Sequence, residues 1–382
     1  LNYPSIRYFS SSFLGKEILD VDWLDSPIPF NRQGGGAAGE EVWTYRDYFK
    51  AIERALISED CSILLKAAHE KGGTLLSLKD LREIAIYAEK HGNWYHPGKI
   101  VLKTAGGEFN FVINAALHER GQAVMEEEVK TLEMLGKRYN FPWIPRVYSF
   151  WPTLKFPEPG KKLAMFLADW FEGYHEFHLS CDSLDGKQKL VLWDGTPGGR
   201  HLTPELSGQV FRLITKILTS YYDVSSHQQI FPWHQAAGDF VARIAESAVE
   251  VRLITVRHYG PLTDPLRMDP QEALLFFFLN LSMRIRLDRL EGTGETAWAD
   301  ESSLAMTWQG FLEGLRIKEE EGALPKSFLK ALLKDWSRIS ERDLIDRFLA
   351  ILESYDPRSP DRETIEKGLA SHVCRVYELL RG

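Results

Sequence analysis

KIVLKTAGGEFNFVINAALHERGQAVMEEEVKTLEMLGKRY, residues 99–139, carries the pattern on which the fold turns. Two runs, 99–105 and 108–117, are rich in β-branched and aromatic residues. Gly106-Gly107 between them is a two-residue hairpin signal. From Gln122 the period changes: Met125, Val129, Leu132, Leu135 and Tyr139 form a helical stripe over 122–139.

On the C-terminal side, IPRVYSF (144–150) and KLAMFLADWF (162–171) read as two more strands. On the N-terminal side, 42–70 and 76–91 are helical in pattern. Ser77 is placed to cap the second segment, Leu81, Ile84, Ala85 and Ala88 recur at helical spacing, and Gly92 ends it. The run QGGGAAG (33–39) follows SPIPFNR, whose two prolines do not suit a buried strand. It is therefore read as a link or tight turn and not as a phosphate loop, which needs a strand before it and a helix after it. The second half is mostly helical. A helix is expected over 203–222 with Pro204 near its start, then two β-like segments, 239–245 and 249–257. Beyond Pro265 come helices at 270–291, 300–317, 325–336, 340–353 and 361–381. The fold class is α+β.

A chain of 382 residues suffices for two lobes. Acidic residues (54) exceed basic ones (46), for a formal charge of −8, which argues against a nucleic-acid partner. Three scattered cysteines offer neither a disulfide framework nor a CxxC metal site and fit a reducing compartment. The first residues lack the charged and apolar regions of a signal peptide, and the longest apolar run, ALLFFFLNL (273–281), is too short to span a bilayer. A cytoplasmic protein with no membrane partner is expected.

Hairpin, helix with a central glutamate, two strands, short linker and helical lobe form an order that resembles the protein-kinase-like superfamily, in its aminoglycoside phosphotransferase and choline-kinase branch. The resemblance covers roughly residues 95–350 and rests more on element order than on motifs. It implies a bilobal fold, with a small antiparallel-sheet lobe and a larger, mostly helical one. Residues 1–75 would be a partly helical N-terminal extension, 76–171 the small lobe, and 172–382 the helical lobe with short late strands.

The resemblance also assigns residues. KLAMFLADWFEGYHEFHLS looks like the strand and hinge whose backbone meets the adenine edge, here Asp169, Trp170 and Phe171, with Gly173 permitting the bend. An ordinary edge strand and turn is the plainer reading of the same residues. Glu128 stands beside the buried stripe of its helix, where the family carries the glutamate that pairs with a strand lysine. The lysine position itself falls on Asn114 or a neighbour, and Lys103 on the preceding strand is the substitute, to hold phosphate oxygens as a compact charge.

Phosphoryl transfer needs a carboxylate to orient the hydroxyl, and an Asn and an Asp to hold magnesium. The corresponding stretch is PWHQAAGDFVARIAESAVEVRLITVRHYG, beginning at Pro232. Aligning His234 with the family histidine puts Ala236, Val241 and Thr255 in the three chemical positions. Reading Gly238-Asp239-Phe240 as the family Gly-Asp-Leu makes Asp239 the base, with Thr255 still in place of the metal Asp. His234 is then a loop-tying residue or a general base.

Three further groups stand out. His175-Glu176-Phe177-His178 lacks the spacing of a helical zinc site and is read as local capping or the rim of a cleft. Glu89-Lys90-His91-Gly92 suits a helix end. Arg243, Arg252, Arg257 and His258 form either an anion site or ordinary pairs with Asp and Glu. Two function classes follow. One is a kinase-like protein with degraded phosphotransfer motifs that binds a nucleotide, a small anion or a protein partner between its lobes. The other is an active small-molecule phosphotransferase that uses Asp239, ATP and an unusual magnesium arrangement. A helical interaction module without ligand is a third reading.

Overall fold

The computed structural model describes residues 3–10, 21–29, 42–89, 92, 94–155, 161–182, 186–235, 238–246, 248–262, 264 and 267–382. The glycine-rich run 33–39, Lys90, His91 and Ala236 lie outside these residues. The chain divides into two compact units. The first comprises 1–140 and 145–172, the second 141–144 and 173–382.

The first unit is built on one six-stranded sheet. Its elements are β1 (Ser5–Ser10), the short α1 (Val21–Leu24), α2 (Tyr45–Gly72), β2 (Leu81–Ala88), β3 (His96–Thr104), β4 (Gly107–Ala116), α3 (Glu119–Arg138), β5 (Val147–Lys155) and β6 (Lys162–Asp169). The strand order is β1-β2-β3-β4-β6-β5. All neighbours are antiparallel except β1 and β2. The β3–β4 hairpin turns where Gly107, at φ 141°, takes a conformation that a side chain would resist.

Strand alternation sorts this sheet's residues onto two faces. Ile84, Ile86, Ile100, Leu102, Phe111, Ile113, Met165 and Leu167 form one core with Phe49, Ile52, Leu56 and Leu64 of α2. Ala85 and Val101 point the other way and cluster with Phe9. Thr44 caps α2 through a reciprocal box with Asp47. The helix is broken at Ser58–Cys61, where Glu59, Asp60 and Cys61 hold positive φ.

Of the helix expected over 76–91, the described residues 76–89 form something else. Ser77 and Asp80 do form a capping box, but it closes a single 3-10 turn, Leu78–Asp80, before β2. Leu81, Ile84, Ala85 and Ala88 satisfy a helical stripe equally well as a strand buried on both faces, and periodicity alone does not separate the two. Pairing with β1 on one side and β3 on the other decides it.

The second unit carries β7 (Phe177–Cys181), β8 (Gln188–Leu192) and β9 (Arg200–His201), which form a three-stranded sheet, and α4 (Pro204–Tyr221), capped by Thr203. Next come β10 (Gln228–Ile230), the hairpin β11 (Phe240–Ala245) and β12 (Ala248–Leu253), and β13 (Tyr259–Pro261), which pairs with β10. Then follow α5 (Pro270–Arg284), β14 (Leu287–Arg289), β15 (Thr296–Trp298), α6 (Ser302–Glu320), α7 (Phe328–Trp336), α8 (Glu341–Glu353) and α9 (Pro360–Arg381). The helix expected over 270–291 stops at Arg284. The chain then turns through β14, which carries the fully buried Asp288 inward. No helix among the described residues is long and apolar enough to cross a membrane.

Within this unit α4 and α6 approach closely because α6 presents glycines. A Cβ on Gly310 would lie 2.1 Å from the Arg212 carbonyl oxygen, and one on Gly314 would lie 2.6 Å from Thr219 Cβ. The segment 141–144 belongs here too. Phe141 stacks on Trp143 at 4.6 Å, and the Trp143 carbonyl accepts from Leu253 N at 2.9 Å.

Candidate functional site

The β11–β12 hairpin sets the local geometry. Its register pairs Phe240 with Leu253, so Asp239 and the residues after β12 lie side by side, and Ile254 N donates to the Asp239 carbonyl at 2.8 Å. Asp239 is 0% exposed. Arg257 grips its carboxylate with both terminal nitrogens, Nη1 to Oδ2 at 2.8 Å and Nη2 to Oδ1 at 2.7 Å. The backbone N–H of His234 donates to Oδ2 at 2.8 Å. This planar fork is the strong form of carboxylate pairing. With the His234 amide it fills three of the carboxylate's roughly four acceptor positions, and full burial closes the remaining one to a substrate.

The His234 side chain faces elsewhere, with Nε2 3.4 Å from Asp361 Oδ2 near the start of α9. The His234 imidazole, with Arg284 and Arg289 nearby, holds the Asp361 carboxyl below its usual range against the cost of burial. His234 and Asp239 are thus tied to one loop by different partners. They do not form a dyad.

Next to this loop is a second buried cluster. Asp288 Oδ2 accepts from Leu179 N at 2.7 Å and from Gln235 Nε2 at 3.0 Å, and Oδ1 lies 3.2 Å from His178 Nδ1. Glu176 sits 4.0 Å from the other ring nitrogen of His178. Burial works against the charged imidazolium, but the two carboxylates outweigh it and push the His178 pKa up to about 9. Of the run His175–His178, then, two side chains join an ion-paired cluster while His175 pairs its backbone with Ala242.

The arginines resolve as ordinary pairs. Arg243 Nη2 bonds Glu250 Oε1 at 2.6 Å, Arg252 Nη2 lies 3.5 Å from Glu250 Oε2, and both guanidinium carbons lie 5.1 Å from the Tyr174 ring centre. Tyr174 Oη donates to Glu250 at 2.5 Å. Burial and that carboxylate raise its pKa to about 12.

In the first unit, Asp169 ends β6 and faces α2. Its Oδ1 accepts from Lys71 Nζ at 2.9 Å and Tyr148 Oη at 2.7 Å, and Oδ2 accepts from Arg146 N at 3.1 Å. The carboxylate thereby braces α2 and β5 to the end of β6. Phe171 is half-buried beside it. Glu128 is buried on α3, which packs on β4, β5 and β6.

Lys103 lies at the opposite end of the ladder from the position it was to replace. It pairs with Glu108, whereas Asn114 pairs with Phe166. Six residues of strand separate Glu108 from Asn114, about 20 Å at the usual rise, beyond a lysine's reach. The Lys103 ammonium instead meets Glu83 at 2.8 Å.

The lysine beside the end of β6 is Lys99, which the sequence did not single out. Its Nζ lies 5.1 Å from the Trp170 ring centre and 2.9 Å from Glu172 Oε2, an oxygen that also accepts from Asn110 Nδ2 at 3.0 Å. The available signal was the i, i+2, i+4 series Lys99, Val101, Lys103, which puts both lysines on one face of β3.

No protein-family model matches the chain, and no curated protein matches it. Among the described residues no three His, Cys, Asp or Glu side chains gather as metal ligands. The donor set at the loop does not fit magnesium. Asp239 is committed to Arg257, and residue 255, at the metal position of either alignment, is a threonine.

Proposed function

We propose that this chain is a kinase-like protein in which an internal ion pair has replaced phosphotransfer chemistry, and that it binds a nucleotide or a small anion without turning it over. The observation that carries this reading is the Arg257 fork on the fully buried Asp239. A base must be within hydrogen-bonding reach of its hydroxyl and must have a lone pair to offer. Here a permanent cation holds both oxygens.

The topology supports the kinase-like part. The β3–β4 hairpin, then α3, then β5 and β6 in the same sheet follow the element order on which the resemblance rests, while β2 stands where a helix was expected. β1 and α2 are additions to that order, on an edge and on one face. At the end of β6, Trp170, Lys99 and Asn110 form a polar, aromatic corner suited to a ligand with a ring and a charge.

Thermal unfolding and turnover with ATP, with and without magnesium, test the reading together. ATP stabilises the chain, by about 2.7 kcal/mol at 100 times Kd, and stabilises it equally when EDTA replaces magnesium. Phosphate release stays at the background of an Asp239→Asn variant. Absence of any shift at millimolar ATP overturns the nucleotide reading. Magnesium-dependent turnover that disappears in Asp239→Asn establishes the active phosphotransferase in its place.

A further inference from the structure

We propose that Lys99 is the anion-holding residue of this chain and that Glu172 is its internal place-holder, so that a ligand's phosphate binds by displacing the Glu172 carboxylate from Lys99 and Asn110. This rests on the reading above for the choice of nucleotides as the ligand class.

The side chains at this corner differ sharply in how firmly they are fixed. Lys99 is 20% exposed and lies between the face of Trp170 and the carboxylate, whereas Glu172 is 63% exposed. An exposed carboxylate in an ion pair is weakly held. The ammonium, seated over an indole, stays in place when its partner leaves. Asn110 adds a second donor to the same carboxylate oxygen, so the two nitrogens already converge on one acceptor atom. A phosphate oxygen satisfies the same two donors, and its group brings further charge and acceptors.

A second observation points to a ligand. Asn110 Oδ1 is buried and has no hydrogen-bond donor among the described residues. A buried amide oxygen without a donor is costly. The enclosed oxygen sits beside a used donor and meets a ligand N–H or O–H only once the side chains around it, Glu172 on the same amide among them, move. Lys103 carries the same charge on the same face but sits on Glu83, with Arg7 on that carboxylate's other oxygen. The cation–ring contact there is made by Arg7, over Phe9 at 5.2 Å.

Calorimetric titration of the full chain with ADP, adenosine and inorganic pyrophosphate tests the exchange. Glu172→Gln removes the competing charge and tightens ADP and pyrophosphate by about 2- to 5-fold, the worth of an exposed pair. Lys99→Met weakens both by about 10-fold or more. Lys99→Arg stays within a few-fold of the parent, Lys103→Met changes nothing, and adenosine is indifferent to every substitution.

If Lys99→Met fails to fold, the Glu172→Gln and Lys99→Arg arms still decide, because both keep the cation. ADP binding that ignores Lys99 and Glu172 overturns the exchange and leaves the nucleotide reading standing. Pyrophosphate binding that needs Lys99, with ADP no tighter, upholds the exchange and overturns the nucleotide. Binding by none of the probes overturns both.

Discussion

Asp239 and Arg257, eighteen residues apart in sequence, meet through two parallel hydrogen bonds of 2.7 and 2.8 Å at the mouth of one short hairpin. The carboxylate is fully buried and the guanidinium largely so. Removing one partner of such a pair strands the other charge in a dry setting. Arg257→Met is expected to lower unfolding free energy by about 3–5 kcal/mol, read from urea denaturation. A loss below about 1 kcal/mol, the range of exposed pairs, would show that the pair does not hold the loop.

His178 gives the second unit a pH dependence with a defined sign. Its pKa stands at about 9 in the folded chain, above the usual 6.5, because Asp288 and Glu176 favour the imidazolium in spite of burial. The stabilisation is complete below about pH 6.5 and fades as pH rises through 9, by about 3 kcal/mol at most. His178→Gln should therefore flatten the decline in stability between pH 6.5 and 9.5. Parallel curves for parent and variant would remove His178 as its cause.

The α4–α6 contact predicts a steric penalty. At Gly310 an added methyl would sit 2.1 Å from a backbone oxygen, and backbone cannot rotate aside. Gly310→Ala should cost about 1–3 kcal/mol although alanine is the better helix former. Gly136, on α3, has nothing near its Cβ position, so Gly136→Ala should stabilise by up to about 1 kcal/mol. Equal effects at the two sites would refute the close approach.

Burial of β2 on both faces is also measurable. Ile86→Ala should lose about 2–5 kcal/mol, and Ala85→Asp should be at least as damaging, since it buries a charge against Phe9 and Val101. A one-faced helix would tolerate one of the two substitutions, so tolerance of Ala85→Asp would contradict the strand.

The elements that local chemistry specifies were readable. Gly106-Gly107 sets the β3–β4 hairpin, the stripe Met125 to Leu135 sets α3, and Thr203-Pro204 starts α4. The exception is instructive: Leu81 to Ala88 fits helix and buried strand alike, and its neighbours β1 and β3 settle the matter. The short strands β7, β8, β14 and β15 had no periodicity to announce them and exist through cross-strand pairing.

For the candidate site the division is sharper. Sequence by itself determined which chemical groups stand near the loop: His234, Asp239, Thr255 and a set of arginines, with no second carboxylate in the expected place. Only the tertiary structure decided who holds whom. Arg257 rather than Arg243 or Arg252 took Asp239, and Lys99 rather than Lys103 took the corner with Trp170. Residue type is local, whereas an ion pair depends on strand register, and a shift of a few residues along a ladder carries a charge farther than its own side chain can reach.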